Sequence, residues 1–234
     1  MSFPTRYRLI TVFCLGVFSV AFTGQLPTVF LIGDSISIQY GPYLKTYLEG
    51  VATLDRKEDD GSAEKNLDVP KGANGGDSRM VLEYLKSKLK DPTFQPNYLL
   101  LNCGLHDIKR NSTTGEIQVD QKNYRKNLTT IFNILKERNI QPIWIRTTAV
   151  VDTIHNSRSK AFKRYSRDLT TYNAIADEIC HQFQIPVIDL HGFSWRLGLE
   201  QFADHVHYKE AARALQGAYI AGHLTQLITQ NSKN

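Results

Sequence analysis

The sequence predicts an α/β fold, a three-layer α/β/α sandwich around a mostly parallel, five-stranded sheet. Short apolar runs at Thr28–Ile32, Tyr98–Asn102, Pro142–Thr147 and Ile185–Leu190 read as buried strands. Between them lie amphipathic helical patterns, the clearest over Tyr124–Arg138, where Leu128, Ile131, Phe132 and Leu135 recur at spacings of three and four. Strands that alternate with helices in this way pair in parallel, with the helices covering both faces of the sheet.

At 234 residues the chain is long enough to bury a full core, and its composition is that of an ordinary globular protein. The expected organisation is a signal peptide or N-terminal anchor over residues 1–24 and a single domain over 25–234. Arg6 and Arg8 precede an uncharged apolar run from Leu9 to Phe22, and the first acidic residue is Asp34. That run is short for a membrane span but suits the core of a signal peptide, with Ala21 and Thr23 as small residues near a cleavage point. The expectation is export, to a secreted or periplasmic location, with membrane attachment only if the segment stays uncleaved. Without Arg6 and Arg8 the formal charge of +5 falls to +3. The remaining basic residues are scattered or mixed with acids, as in Lys86–Lys90 and Arg158–Arg167. They read as solvated helix faces and not as a nucleic-acid surface. Outside the apolar run only Cys103 and Cys180 remain, and their contexts read as two buried thiols.

Taken in order, Thr28–Ile32 runs into Gly33-Asp34-Ser35, and Pro42–Leu48 reads as a short helix. Val51–Gly75 is the least regular stretch, with a weak strand pattern near Leu67–Val69. Asn74-Gly75-Gly76-Asp77-Ser78 opens a helix whose Met80, Val81, Leu85 and Leu89 share a face, with Ser78 as its cap. The Tyr98 strand ends at Gly104-Leu105-His106-Asp107. Ala149–Lys163 is polar and loop-like, Leu169–Phe183 is helical, and Asp204-His205-Val206-His207 introduces a last helix from Lys209 to about Ile228.

Four of these segments fall at strand ends or helix starts, and the carboxyl ends of parallel strands share one edge of the sheet. Together they offer a nucleophile, several hydrogen-bond donors, a base, and a carboxylate to orient the base, which are the parts of serine-based acyl transfer. A serine at such a turn has its backbone N–H among the free donors of a helix N-terminus, beside the positive end of the dipole. His207 has Asp204 three residues before it, close enough for a carboxylate to reach Nδ1 and leave Nε2 for Ser35. His205 and His207, with Asp204, form an alternative metal-ligating set, which leaves the Gly-Asp-Ser blocks without a role.

From Val29 to about Ile220 the sequence resembles the SGNH hydrolases, the GDSL family of esterases and lipases. The resemblance rests on Gly33-Asp34-Ser35, Gly76-Asp77, Gly104-Leu105-His106-Asp107 and Asp204-x-x-His207, in that order. It implies an SGNH/flavodoxin-like fold, Ser35 as nucleophile, and Asp204 and His207 completing a catalytic triad. It also implies an oxyanion hole formed by Ser35, Gly76 and the residue at position 106. Asp34 and Asp107 then fix the turns from behind. The third block departs from the family pattern, with His106 where asparagine is usual. A neutral imidazole still offers one N–H, a protonated one would make activity depend on pH near neutrality, and a third possibility is a His106 that merely caps its turn. No cofactor or metal is implied. The expected substrate is a small-molecule or carbohydrate ester, with acetyl groups favoured because the segments at Val51–Gly75 and Ala149–Lys163 are polar. Lipase, acyltransferase and non-catalytic carbohydrate-binding readings remain on the same scaffold. Asn111 and Asn127 match the glycosylation acceptor pattern.

Overall fold

A computed structural model describes residues 25–58 and 60–231. The expected signal peptide or anchor over 1–24 lies outside the described residues.

Strand β1 (Thr28–Ile32) leads into helix α1 (Ser35–Tyr47), and the edge strand β2 (Thr53–Arg56) and the short α2 (Ser62–Lys65) follow. Next come α3 (Ser78–Lys88), β3 (Tyr98–Leu101), the short β4 (Arg110–Asn111), α4 (Gln121–Glu137) and β5 (Gln141–Ile145). The chain then runs through α5 (Asp152–Arg158), β6 (Phe162–Lys163), α6 (Ser166–Phe183), β7 (Val187–Ile188), α7 (Leu190–Arg196), a 3₁₀ turn at Leu199–Gln201, and α8 (Glu210–Asn231).

The main sheet has the order β2-β1-β3-β5-β7 and every neighbouring pair is parallel. β4 and β6 form a separate antiparallel pair. The three central strands are apolar and almost wholly buried, as expected of strands covered on both faces. Helices α1, α7 and α8 pack together on one side, and α3, α4 and α6 on the other. After β2 the chain returns to the far side of β1 to place β3, so the strand order reverses between β1 and β3. Such a switch point leaves a crevice at the carboxyl ends of the two strands. The segments that follow β1 and β3 are Gly33-Asp34-Ser35 and Gly104-Leu105-His106-Asp107.

Several local expectations are corrected. The helix expected at Pro42–Leu48 is the second half of α1, which begins at Ser35 and runs through Pro42. Proline has no N–H, so Ile38 loses the helical partner of its carbonyl, yet packing of α1 on α8 holds the helix together. The strand sought near Leu67–Val69 is a turn, closed by Val69 N–H to the Asn66 carbonyl at 3.1 Å. The edge strand lies instead at Thr53–Arg56, where alternating exposure and the charged Asp55 and Arg56 hide any apolar signal. Ala149–Lys163 contains α5 and β6. Asp77, not Ser78, caps α3, accepting the Met80 N–H at 2.9 Å. Cys103 and Cys180 are free and buried.

The α1–α8 contact is unusually close. A Cβ built on Gly217 would lie 2.9 Å from both the Leu44 nitrogen and Tyr43 Cβ. Only glycine lets the two backbones approach so near, and this contact brings the helix carrying Ser35 beside the one that follows His207.

Candidate active site

Gly33 leaves the sheet through a bridge to Asn74. Asp34 then adopts an extended backbone as N-cap of α1, and its carboxylate accepts the Ile36 N–H at 3.0 Å. This places Ser35 at the first helical position, where its own N–H has no partner among the described residues. Ser35 Oγ lies 2.9 Å from His207 Nε2. Burial raises the Asp34 carboxyl above the ordinary range, against the lowering effect of the Ile36 N–H. Its second oxygen is sealed from solvent without a partner.

His207 comes from the loop before α8. Asp204 Oδ1 accepts the backbone N–H groups of Val206 and His207, each at 2.8 Å, and Oδ2 lies 2.6 Å from His207 Nδ1. A turn closed by its own carboxylate thus delivers that carboxylate to the ring. Partial burial pushes the Asp204 carboxyl up, but the His207 ring and the two backbone donors outweigh this and hold it well below the carboxylate range. An ionised partner at Nδ1 requires the proton there, so Nε2 of the neutral ring accepts from the Ser35 hydroxyl.

The three expected oxyanion donors differ in readiness. The Ser35 N–H is free. Gly76 has a φ of +74°, a conformation costly for any side chain, and a Cβ there would lie 2.7 Å from Met80 Sδ. Its N–H donates to Asn74 Oδ1 at 3.0 Å, so serving an oxyanion requires that bond to be shared or released. His106 is buried, and its ring makes no hydrogen bond among the described residues. Burial holds its pKa well below the usual imidazole value, with Lys109, Arg164 and His207 adding to the effect. This favours the neutral ring among the possibilities that the sequence leaves open, with its single N–H. Behind the turns, Asp107 accepts the Ser78 N–H at 2.9 Å, joining the third block to the second.

His205 packs against His155, with ring centres 4.4 Å apart and planes tilted by 55°. No group of three or more His, Cys, Asp or Glu side chains suited to a metal occurs among the described residues.

Two features escaped the sequence reading. Arg164 is 2% exposed and not on a solvated helix face. Its Nε donates to the Leu105 carbonyl at 2.8 Å, Nη1 reaches Asp68 at 3.3 Å, and the guanidinium lies over the Phe162 ring. It tethers the turn that carries His106. Its neighbours in sequence are a run of mixed charges, and only contacts 59 and 96 residues away distinguish it. His155, which no sequence motif marks, is fully buried with neither ring nitrogen hydrogen-bonded among the described residues, and burial lowers its pKa to about 4.

A switch-point crevice that brings together a serine, a histidine and an aspartate in hydrogen-bonded series defines a hydrolase-type site. The GDSL-like Lipase/Acylhydrolase family model matches residues 31–215, and the chain belongs to that family; it is a carboxylic ester hydrolase. No curated protein sequence matches it. Among solved structures it resembles a lipase/acylhydrolase from Enterococcus faecalis, with a TM-score of 0.66, 16% identity, and coverage of 86% of this chain and 96% of that one. A psychrotrophic esterase from Pseudoalteromonas, solved inhibited by monoethylphosphonate, gives 0.60 at 15% identity, covering 86% and 98%. A variant of an acetyl xylan esterase from Geobacillus stearothermophilus gives 0.58 at 16%, covering 88% and 95%. At such identities these likenesses establish the fold, and the central parallel sheet flanked by helices is theirs as well.

Proposed function

We propose that this chain is an exported serine esterase that removes acyl groups, acetyl above all, from carbohydrate esters. The observation that carries the reading is the continuous series Ser35 Oγ, His207 Nε2, His207 Nδ1, Asp204 Oδ2, with separations of 2.9 Å and 2.6 Å. In this mechanism Ser35 attacks the ester carbonyl as His207 takes its proton, and Asp204 stabilises the imidazolium that forms. The carbonyl oxygen becomes an anion held by the N–H groups of Ser35 and Gly76 and by the neutral His106 ring. His207 then gives its proton to the departing alcohol. Water, deprotonated by the same histidine, attacks the acyl-enzyme; collapse returns the proton to Ser35 Oγ and releases the acid. Asp34 and Asp107 act at one remove, by fixing the turns.

The carbohydrate preference is supported by the polar composition of residues 51–75 and 149–163 and by the acetyl xylan esterase among the similar folds. Export is supported by Arg6, Arg8 and the apolar run Leu9–Phe22. Hydrolysis of p-nitrophenyl acetate by the chain and by Ser35→Ala tests the chemistry. Activity that falls by roughly three orders of magnitude or more in the variant is the expected result. Equal rates for the two proteins would exclude Ser35 as nucleophile.

A further inference from the structure

We infer that Arg164 is a positioning residue for the esterase reaction, the key of a clamp in which α5 and β6 join the loop of His207 to the turn of His106. The inference rests on the esterase reading above. One end of the clamp grips the loop of the base. The Val151 N–H, at the start of α5, donates to the His205 carbonyl at 2.8 Å, and the His155 ring packs against that of His205. The other end grips the turn of His106, where Arg164 Nε donates to the Leu105 carbonyl at 2.8 Å, one residue before the imidazole. Arg164 Nη1 reaches Asp68 at 3.3 Å, and the adjacent Leu67 carbonyl accepts Asn74 Nδ2 at 3.1 Å. Asn74 in turn accepts the Gly76 N–H. One guanidinium thus bears on the supports of two expected oxyanion donors.

The clamp is closed on itself, so its two grips are not independent. Asn156 Oδ1 accepts the Arg164 N–H at 3.0 Å, and Asn156 Nδ2 donates to the Arg164 carbonyl at 2.8 Å. Lys163 Nζ donates to the carbonyls of Asn156 and Ser159 at 2.6 Å and 2.8 Å. Phe162 lies between the grips, its ring centre 5.2 Å from that of His155 and 4.8 Å from the Arg164 guanidinium. A displacement at Arg164 is therefore passed to α5 and, through His205, to the loop of His207.

The residue type fits the task. The planar fork of arginine serves a carbonyl and a carboxylate at once in fixed geometry, which a lysine ammonium does not. Burial works against the charge of Arg164, and Asp68, Asp34 and Asp204 work for it. Tying down a surface loop does not call for a cation desolvated at such a cost. Holding a donor where an oxyanion develops does gain from a rigid turn with positive charge behind it. The reaction is sensitive to that rigidity, since a misplacement of about 1 Å can cost on the order of a hundredfold in rate.

The test is a double-mutant cycle on the full chain, read as kcat and KM for p-nitrophenyl acetate and as the rate at which a fluorophosphonate labels Ser35. Arg164→Ala is expected to lower kcat and the labelling rate about a hundredfold, with KM within about threefold of wild type. In a His106→Ala background the same substitution is expected to cost under about fivefold, because the turn then carries no imidazole to place. Arg164→Lys keeps the charge without the fork and should fall between, about tenfold below wild type. It gives the same comparison in both backgrounds if Arg164→Ala fails to fold. Wild-type kcat in a folded Arg164 variant would overturn the inference, as would equal losses with and without His106. A wild-type chain that neither cleaves the ester nor takes label on Ser35 would instead overturn the esterase reading beneath it.

Discussion

Asp107 accepts the backbone N–H of Ser78 across 29 residues, at 2.9 Å, and so locks the turn carrying His106 to the turn carrying Gly76. Burial raises the Asp107 carboxyl to about 8, against the lowering effect of the bond from Ser78. It is therefore largely protonated at neutral pH. A raised carboxylate pKa favours the fold while the group keeps its proton, and that contribution is lost as pH rises from about 4 through 8. Asp107→Asn mimics the protonated acid and is expected to cost under about 1 kcal/mol at pH 7. Asp107→Ala, which orphans a buried N–H, should cost about 2 kcal/mol. Denaturant unfolding of the two variants measures the difference.

His106 is the place where this chain departs from the family's asparagine. As a neutral imidazole it can donate a single N–H to an oxyanion, which an amide donates equally well. His106→Asn is expected to keep kcat within about tenfold of wild type, and His106→Ala to lower it about a hundredfold or more, with little change in KM. Steady-state kinetics on p-nitrophenyl acetate decide it. If the alanine variant is as fast as wild type, the ring serves only its turn.

His155 makes stability depend on acid. Its folded pKa of about 4 lies below the ordinary 6.5, so the unfolded chain binds the extra proton first. The contribution is complete above pH 6.5 and is lost as pH falls toward 4, a swing of about 2–3 kcal/mol. His155→Phe keeps the ring contacts with His205 and Phe162 without the titration. The stability gap between variant and wild type should therefore shift in favour of the variant by that amount between pH 7 and 4, as read by thermal unfolding in matched buffers.

Much of the fold was legible because its signals are local. β1, β3 and β5 are apolar runs, and α4 announces its buried face by the spacing of Leu128, Ile131, Phe132 and Leu135. Ser35 and His207 were named for the same reason, since each lies in a motif of three or four residues, and the structure brings them within hydrogen-bond distance. β2 was displaced by more than ten residues because an edge strand needs no apolar alternation. The continuity of α1 through Pro42 depends on α8, far away in sequence. Arg164 was misread for a similar reason. Its burial depends on Leu105, Asp68 and Phe162, and nothing between Arg158 and Arg167 marks one arginine as different from its neighbours. Sequence also gave no hint that Asn74 already occupies the Gly76 N–H.

The most direct measurement is covalent labelling of the intact chain by a fluorophosphonate, followed by peptide mass spectrometry. A serine activated by His207 and Asp204 should take up one equivalent of probe, on Ser35, and His207→Ala should react slower by about two orders of magnitude or more. Label on Ser78, or none on a folded protein, would contradict the assignment of Ser35 as the nucleophile.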